Sequence, residues 1–180
     1  SAHLAVHATP PSVLAPQFTD LDLDSGELGG PVTWTAPANT TGVAAYSVGL
    51  ATDVAGSSFS AMGDVPVGTN ALGLPADVGI GSFTHIVIYS IDGLSAQSSP
   101  AAAVLSDSAA TAADIALVDL DLDDTELGGD VTWQPPGDAT LVTEYSVFLS
   151  TNAYGAGRSQ VGGPVAVGTT SASLAPDTSI

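Results

Sequence analysis

Apolar and polar residues alternate along this chain in short runs. Val32 and Trp34 flank the polar Thr33, and Leu21 and Leu23 alternate with Asp20, Asp22 and Asp24. A period of two is that of a β-strand, whose successive side chains point to opposite faces. Turn-forming clusters interrupt the runs about every eight to twelve residues, and no amphipathic helical stretch of useful length is present. The pattern predicts strands over residues 18–24, 32–35, 44–52, 59–67, 70–74, 84–91 and 101–106. On the first of these, Leu21 and Leu23 are expected to face a core and the three aspartates the solvent. Gly29 and Gly30 are free to take positive φ, and Pro37, Pro75 and Pro100 stand where strand pairing should stop. Seven strands of this kind fit an all-β sandwich.

The same pattern occurs twice. Residues 20–34, DLDLDSGELGGPVTW, return as DLDLDDTELGGDVTW over residues 119–133, a displacement of 99. Pro37 then matches Pro136, Tyr46-Ser47-Val48 matches Tyr145-Ser146-Val147, and Gly56 matches Gly155. One inserted residue later, Gly68-Thr69 pairs with Gly168-Thr169 and Asp77 with Asp177. The expected organisation is an N-terminal strand segment over residues 1–17, a first repeat over 18–107, a linker over 108–116 and a second repeat over 117–180. The second repeat stops at Ile180, the counterpart of Ile80, before its sixth and seventh strands. Ala2-His3-Leu4-Ala5-Val6-His7 lines up loosely with Thr84-His85-Ile86-Val87-Ile88-Tyr89, so the beginning resembles the missing end.

Val32-Thr33-Trp34 followed by Ala36-Pro37, Tyr46-Ser47-Val48, and Ile86 and Ile88 before Asp92-Gly93 resemble the second, third and sixth strands of the fibronectin type III family. The resemblance implies two tandem immunoglobulin-like sandwiches, the second incomplete within the chain, with Trp34 and Trp133 filling cores. The chain departs from the family at its corner tyrosine, where Phe83 and Thr84 stand instead. No Arg-Gly-Asp tripeptide occurs.

Charge narrows the partners. Arg158 is the one basic residue against 19 acidic ones, giving a formal net charge of −18. Such a field repels phosphate backbones and anionic membranes, so nucleic acid is excluded as an expected partner. The absence of cysteine removes disulfides and thiolate metal sites. No apolar run is long enough to span a membrane and no signal peptide is recognisable, so the chain is expected to be mature or excised material without membrane insertion.

The acidic cluster Asp20, Asp22, Asp24 and Glu27, with its copy Asp119, Asp121, Asp123, Asp124 and Glu126, is the candidate metal site, because hard cations such as calcium take several carboxylate oxygens. The opposing reading is an acidic strand that blocks edge-to-edge pairing, since same-face side chains on a strand lie about 6.5–7 Å apart, too far for three to clasp one ion. His3, His7 and His85 lack metal-ligand spacing, and no nucleophile elbow or phosphate-binding glycine loop appears, so no enzyme is expected. Asn39-Thr40-Thr41 is an N-glycosylation sequon in an expected loop.

Fold-level analogy then implies a structural or adhesive module of an extracellular fibril, appendage or surface array. The rival function is a calcium-dependent or glycan-binding module of a larger surface protein. Residues 2–14 of a neighbouring copy are expected to complete the second sandwich, which would propagate head to tail into a homopolymer.

Overall fold

The computed structural model describes residues 10–179, and among these the regular elements are all β-strands. The chain divides into two compact units between Ala109 and Ala110. The first contains β1 (Leu14–Phe18), β2 (Glu27–Thr35), β3 (Ala45–Ala51), β4 (Ser60–Pro66), β5 (Ala71–Gly79), β6 (His85–Ile91) and β7 (Ala101–Val104). They form an antiparallel three-stranded sheet ordered β1-β2-β5 and a four-stranded sheet ordered β4-β3-β6-β7. Between them lies a core of Leu28, Val32, Trp34, Tyr46, Val48, Leu50, Ile86 and Ile88. The alternation places these residues inward, and each buried aliphatic side chain stabilises by roughly 1.5–3 kcal/mol. Trp34 meets Tyr46 edge to face at 5.5 Å.

The second unit contains β8 (Ala113–Asp119), β9 (Glu126–Gln134), β10 (Glu144–Leu149), β11 (Ser159–Ala166) and β12 (Ser171–Ser179). Its sheets are β12-β9-β8 and β10-β11. These five strands repeat β1 to β5, with Trp133 packed on Tyr145 at 5.4 Å.

One expected strand is corrected. Residues 18–24 do not form a strand: β1 ends at Phe18, and the acidic residues lie in a loop. Leu21 is 54% exposed, whereas Asp20 is 3% exposed, opposite to the alternation argument. The physical reason is local. The Asp20 carboxylate accepts from the Asp22 N–H, and the Asp22 carboxylate from the Asp24 N–H, so the side chains curl the backbone in successive Asx turns. Asp20, Asp22 and Asp24 therefore do not line a strand edge, whereas Asp119 ends β8 and Glu27 and Glu126 begin β2 and β9.

Strand β5 also runs past Pro75, to Gly79. Its pairing shifts where residues 75–77 bulge opposite Gly29, and Asp77 takes φ 62° there. Gly29 suits this approach, because a Cβ would sit 3.0 Å from the Ala76 Cα and the bulge would have to give by a few tenths of an ångström. Gly30, at φ 131°, turns the strand beneath the acidic loop, and a Cβ on it would overlap the Thr19 carbonyl oxygen. Gly129 repeats that conformation and that contact in the second unit, against Val118.

Residues 10–13 lead into β1 and belong to the first unit. Val13 is in its core, the Ser90 hydroxyl donates to the Pro11 carbonyl at 2.7 Å, and the Gln97 amide donates to the Ser12 hydroxyl at 3.2 Å. The C-terminal part of the expected donor segment, residues 2–14, is thus engaged with its own sandwich. The loose match over residues 2–7, including His3 and His7, lies outside the described residues, as does Ile180.

Candidate metal centres

In the first unit the Asx turns bring the carboxylates of Asp22, Asp24 and Glu27 to one side of the loop, and the β5 bulge adds Asp77. One oxygen from each of these four residues lies within 4.8 Å of the others. The second unit repeats the cup with Asp121, Asp123, Glu126 and Asp177, at the same 4.8 Å limit. Oxygen pairs on opposite sides of a hard cation are separated by about 4–5 Å, so each cup is able to hold one metal ion. Leaving the strand removes the spacing objection raised by the sequence.

Asp20 and Asp119 are outside the cups and organise the loops instead. One Asp20 oxygen accepts from the N–H groups of Asp22 and Gly29, at 3.2 and 2.9 Å, and the other from Ser108 at 2.9 Å. Asp119 accepts from Asp121 and Gly128, both at 3.0 Å. The aspartates expected to be ligands thus divide into loop anchors, Asp20 buried and Asp119 exposed, and cup members. Asp124 is likewise not a cup member. Asp77 and Asp177 were beyond the linear cluster, and the signal for them was their pairing across the repeat.

The cups store charge. The Asp77 N–H, at 2.8 Å, and then the Asp24 N–H hold Asp22 below the usual carboxylate value. Asp121 is lowered in the same way, by the N–H groups of Asp177 and Asp123. Glu27 is pushed the other way, first by desolvation and then by the charges of Asp77, Asp24 and Asp22. Among the described residues the one basic side chain, Arg158, lies 5.2 Å over the Phe148 ring and is not a member of either cup.

These shifts predict a pH profile for the cation-free protein. Asp22 and Asp121, lowered from 3.8, contribute stability above that value and lose it as pH falls through their folded values. Glu27, raised from 4.5, contributes stability below that value and loses it as pH rises through its folded value. In chelator, Glu27→Gln is therefore expected to raise the first unit's stability at neutral pH and to flatten its dependence just above pH 4.5. Urea unfolding between about pH 3 and pH 8 checks this, and a variant less stable than the parent at neutral pH contradicts it.

The other candidates are brought to no common site. His85 places Nδ1 2.8 Å from the Thr84 hydroxyl, in an exposed position. Asn39 is exposed in the loop between β2 and β3, where its side-chain oxygen accepts from the Thr41 N–H at 2.9 Å. Among the described residues no helix is long and apolar enough to cross a membrane. No protein-family model matches the chain, and no curated protein matches it either.

Proposed function

We propose that this chain is a structural or adhesive repeat module of an extracellular fibril, appendage or surface array, without catalytic activity, in which each sandwich holds a calcium ion. The observation that carries this reading is the recurrence of one four-carboxylate cup on the same loop and bulge of both units. All-oxygen ligands favour a hard cation, and a flexible set of carboxylates completed by water suits calcium better than magnesium, which demands near-octahedral geometry. With a net charge of −18 and a single arginine, the protein has almost no basic side chains of its own to neutralise these cups.

The fibronectin type III resemblance is supported by the three-on-four strand order of the first unit and by the core tryptophan on its second strand. Tandem sandwiches of this kind hold shape and repeat a surface, and other copies of the chain are the expected partners, joined head to tail as a homopolymer. In a glycosylating secretory pathway, Asn39 is the position that would carry a glycan.

Calorimetry with calcium tests the reading. Two sites per chain are expected, and free calcium at a hundredfold excess over Kd should shift each unit's unfolding equilibrium about a hundredfold, raising Tm relative to chelator. Asp77→Asn and Asp177→Asn should each weaken one site. No heat of binding and no Tm shift in millimolar calcium removes calcium from the proposal.

A further inference from the structure

Arg158 is the one basic residue of the 180, so the chain offers a single peptide bond, Arg158–Ser159, to an endopeptidase that reads a guanidinium with a carboxylate at the base of its specificity pocket. The fold puts that bond at the surface. It lies where the loop after β10 enters β11, and residues 156–160 are all exposed. Gly155 and Gly157 stand on its N-terminal side at φ 75° and 61°, and Tyr154 in the same loop is 97% exposed. Exposed loops of small and polar residues are the preferred places for a nick, because few contacts oppose the extended conformation that a protease needs.

The restraints on this loop are local. The Arg158 guanidinium lies 5.2 Å over the Phe148 ring, a contact that is weak at an exposed position. The Thr151 N–H and hydroxyl both donate to the Ala156 carbonyl at 2.9 Å, and the Asn152 side-chain oxygen accepts from the N–H groups of Tyr154 and Ala156 at 3.0 and 3.1 Å. Beyond the bond, Ser159 pairs with Leu149 and Gln160 with Phe148 at the end of the ladder. Breaking these contacts frees residues 151–160 while Val161, 7% exposed, stays in the sandwich. In the first unit Phe59 takes the place of Arg158, meets Tyr89 edge to face at 5.3 Å, and covers Gly49 so closely that a Cβ there would overlap its ring. Ala55, Ser57, Ser58 and Phe59 are nevertheless exposed in that seven-stranded unit, so accessibility of this loop belongs to the repeat and not to one copy of it.

We propose that Arg158–Ser159 is a processing site, at which an arginine-specific endopeptidase cuts the folded chain once by local opening of the β10–β11 loop, and that the two pieces stay assembled. Water adds across the peptide bond: the Arg158 carbonyl carbon takes the hydroxyl and the Ser159 nitrogen the proton, leaving a carboxylate and an ammonium group. The piece that begins at Ser159 keeps β11 paired with β10 through Val161, Val165 and Ala166, and β12 paired with β9. Val161 and Leu174 remain its buried apolar anchors. A hairpin thereby becomes a two-chain sheet without loss of the sandwich. Every other exposed loop lacks the basic residue such an enzyme reads, so these 180 residues are closed to it everywhere but here.

This inference goes beyond the repeat-module role and depends neither on calcium nor on assembly. Trypsin is the probe, acting on the full chain without added calcium. One cut is expected, giving fragments 1–158 and 159–180 by mass, which elute together in gel filtration until urea parts them. When opening is fast relative to cleavage, the rate follows the population of the open form, so variants distinguish a local opening from global unfolding. Asn152→Ala removes the acceptor of two loop N–H groups and should speed the cut roughly threefold to tenfold. Trp133→Ala, which weakens the core and not the loop, should lower stability to urea and leave the cutting rate unchanged. A native chain that stays whole while the urea-unfolded chain is cut, a rate that rises with Trp133→Ala in step with its lost stability, or fragments that separate without urea would overturn the proposal.

Discussion

Trp34→Ala is expected to destabilise the first unit by about 3–5 kcal/mol, the range for removing a large aromatic side chain from a closed core. Trp34 is covered by Tyr46 and shares a cluster with Val32, Leu74, Ile86 and Ile88, so its loss leaves a void with little freedom to collapse. Trp133→Ala removes an equally buried side chain but should cost the second unit less, because the Tyr145 ring that it meets is only half-buried where Tyr46 is wholly buried, so the void lies closer to water. The transfer contribution is lost in both units, and the cavity contribution chiefly in the first. Tyr46→Phe is the control: its buried hydroxyl has no partner among the described residues, so the change should lie within about 1 kcal/mol of neutral. Hydrogen exchange at β3 and β10 amides separates the two units in one sample. Equal losses for the two tryptophan variants would show that the second core is as closed as the first.

The sequence made the β-strands legible because alternation and turn chemistry agreed over most of the chain. Val32 and Trp34 point inward as their spacing requires, and the duplicated tryptophans occupy equivalent cores. The same argument failed at residues 20–24, where alternation was present but its cause was different. There the aspartates bond to backbone two residues ahead, so the period of two reflects repeated Asx turns rather than a pleated strand. That failure also hid the metal geometry, since a strand would separate the carboxylates that the loop gathers. Asp77, visible in the repeat as the partner of Asp177, was not legible as a cup member because a bulge, not a linear motif, delivers it, and the length of that bulge depends on a sheet register that short-range pattern does not specify. Comparing one repeat with the other shows that, among the described residues, β10 pairs with β11 alone where β3 pairs with both β4 and β6.

Asp20→Ala is expected to cost the first unit about 3–4 kcal/mol, even though the residue is not a cup ligand. Its carboxylate accepts three backbone N–H groups, and hydrogen bonds to a charged partner contribute about 1.5–3 kcal/mol where water cannot replace them. The Gly29 N–H is the most costly to strand, because it lies buried where β2 and the β5 bulge approach. Asp119→Ala should cost about 1 kcal/mol or less, since that residue is exposed and water can take over its two bonds. Asp20→Asn separates the contributions: one oxygen still serves Asp22 and Gly29, while the bond from Ser108 is lost, giving an intermediate loss. Because Asp20 fixes the turn that presents Asp22 and Asp24, its alanine variant should also weaken the calcium binding proposed for the first cup and leave that proposed for the second unchanged. Urea unfolding and calcium calorimetry on the three variants read both effects. Matching stability losses at Asp20 and Asp119 would show that burial and the Ser108 contact add nothing, whereas unaltered calcium affinity at the first cup would show that the cup forms without its anchor.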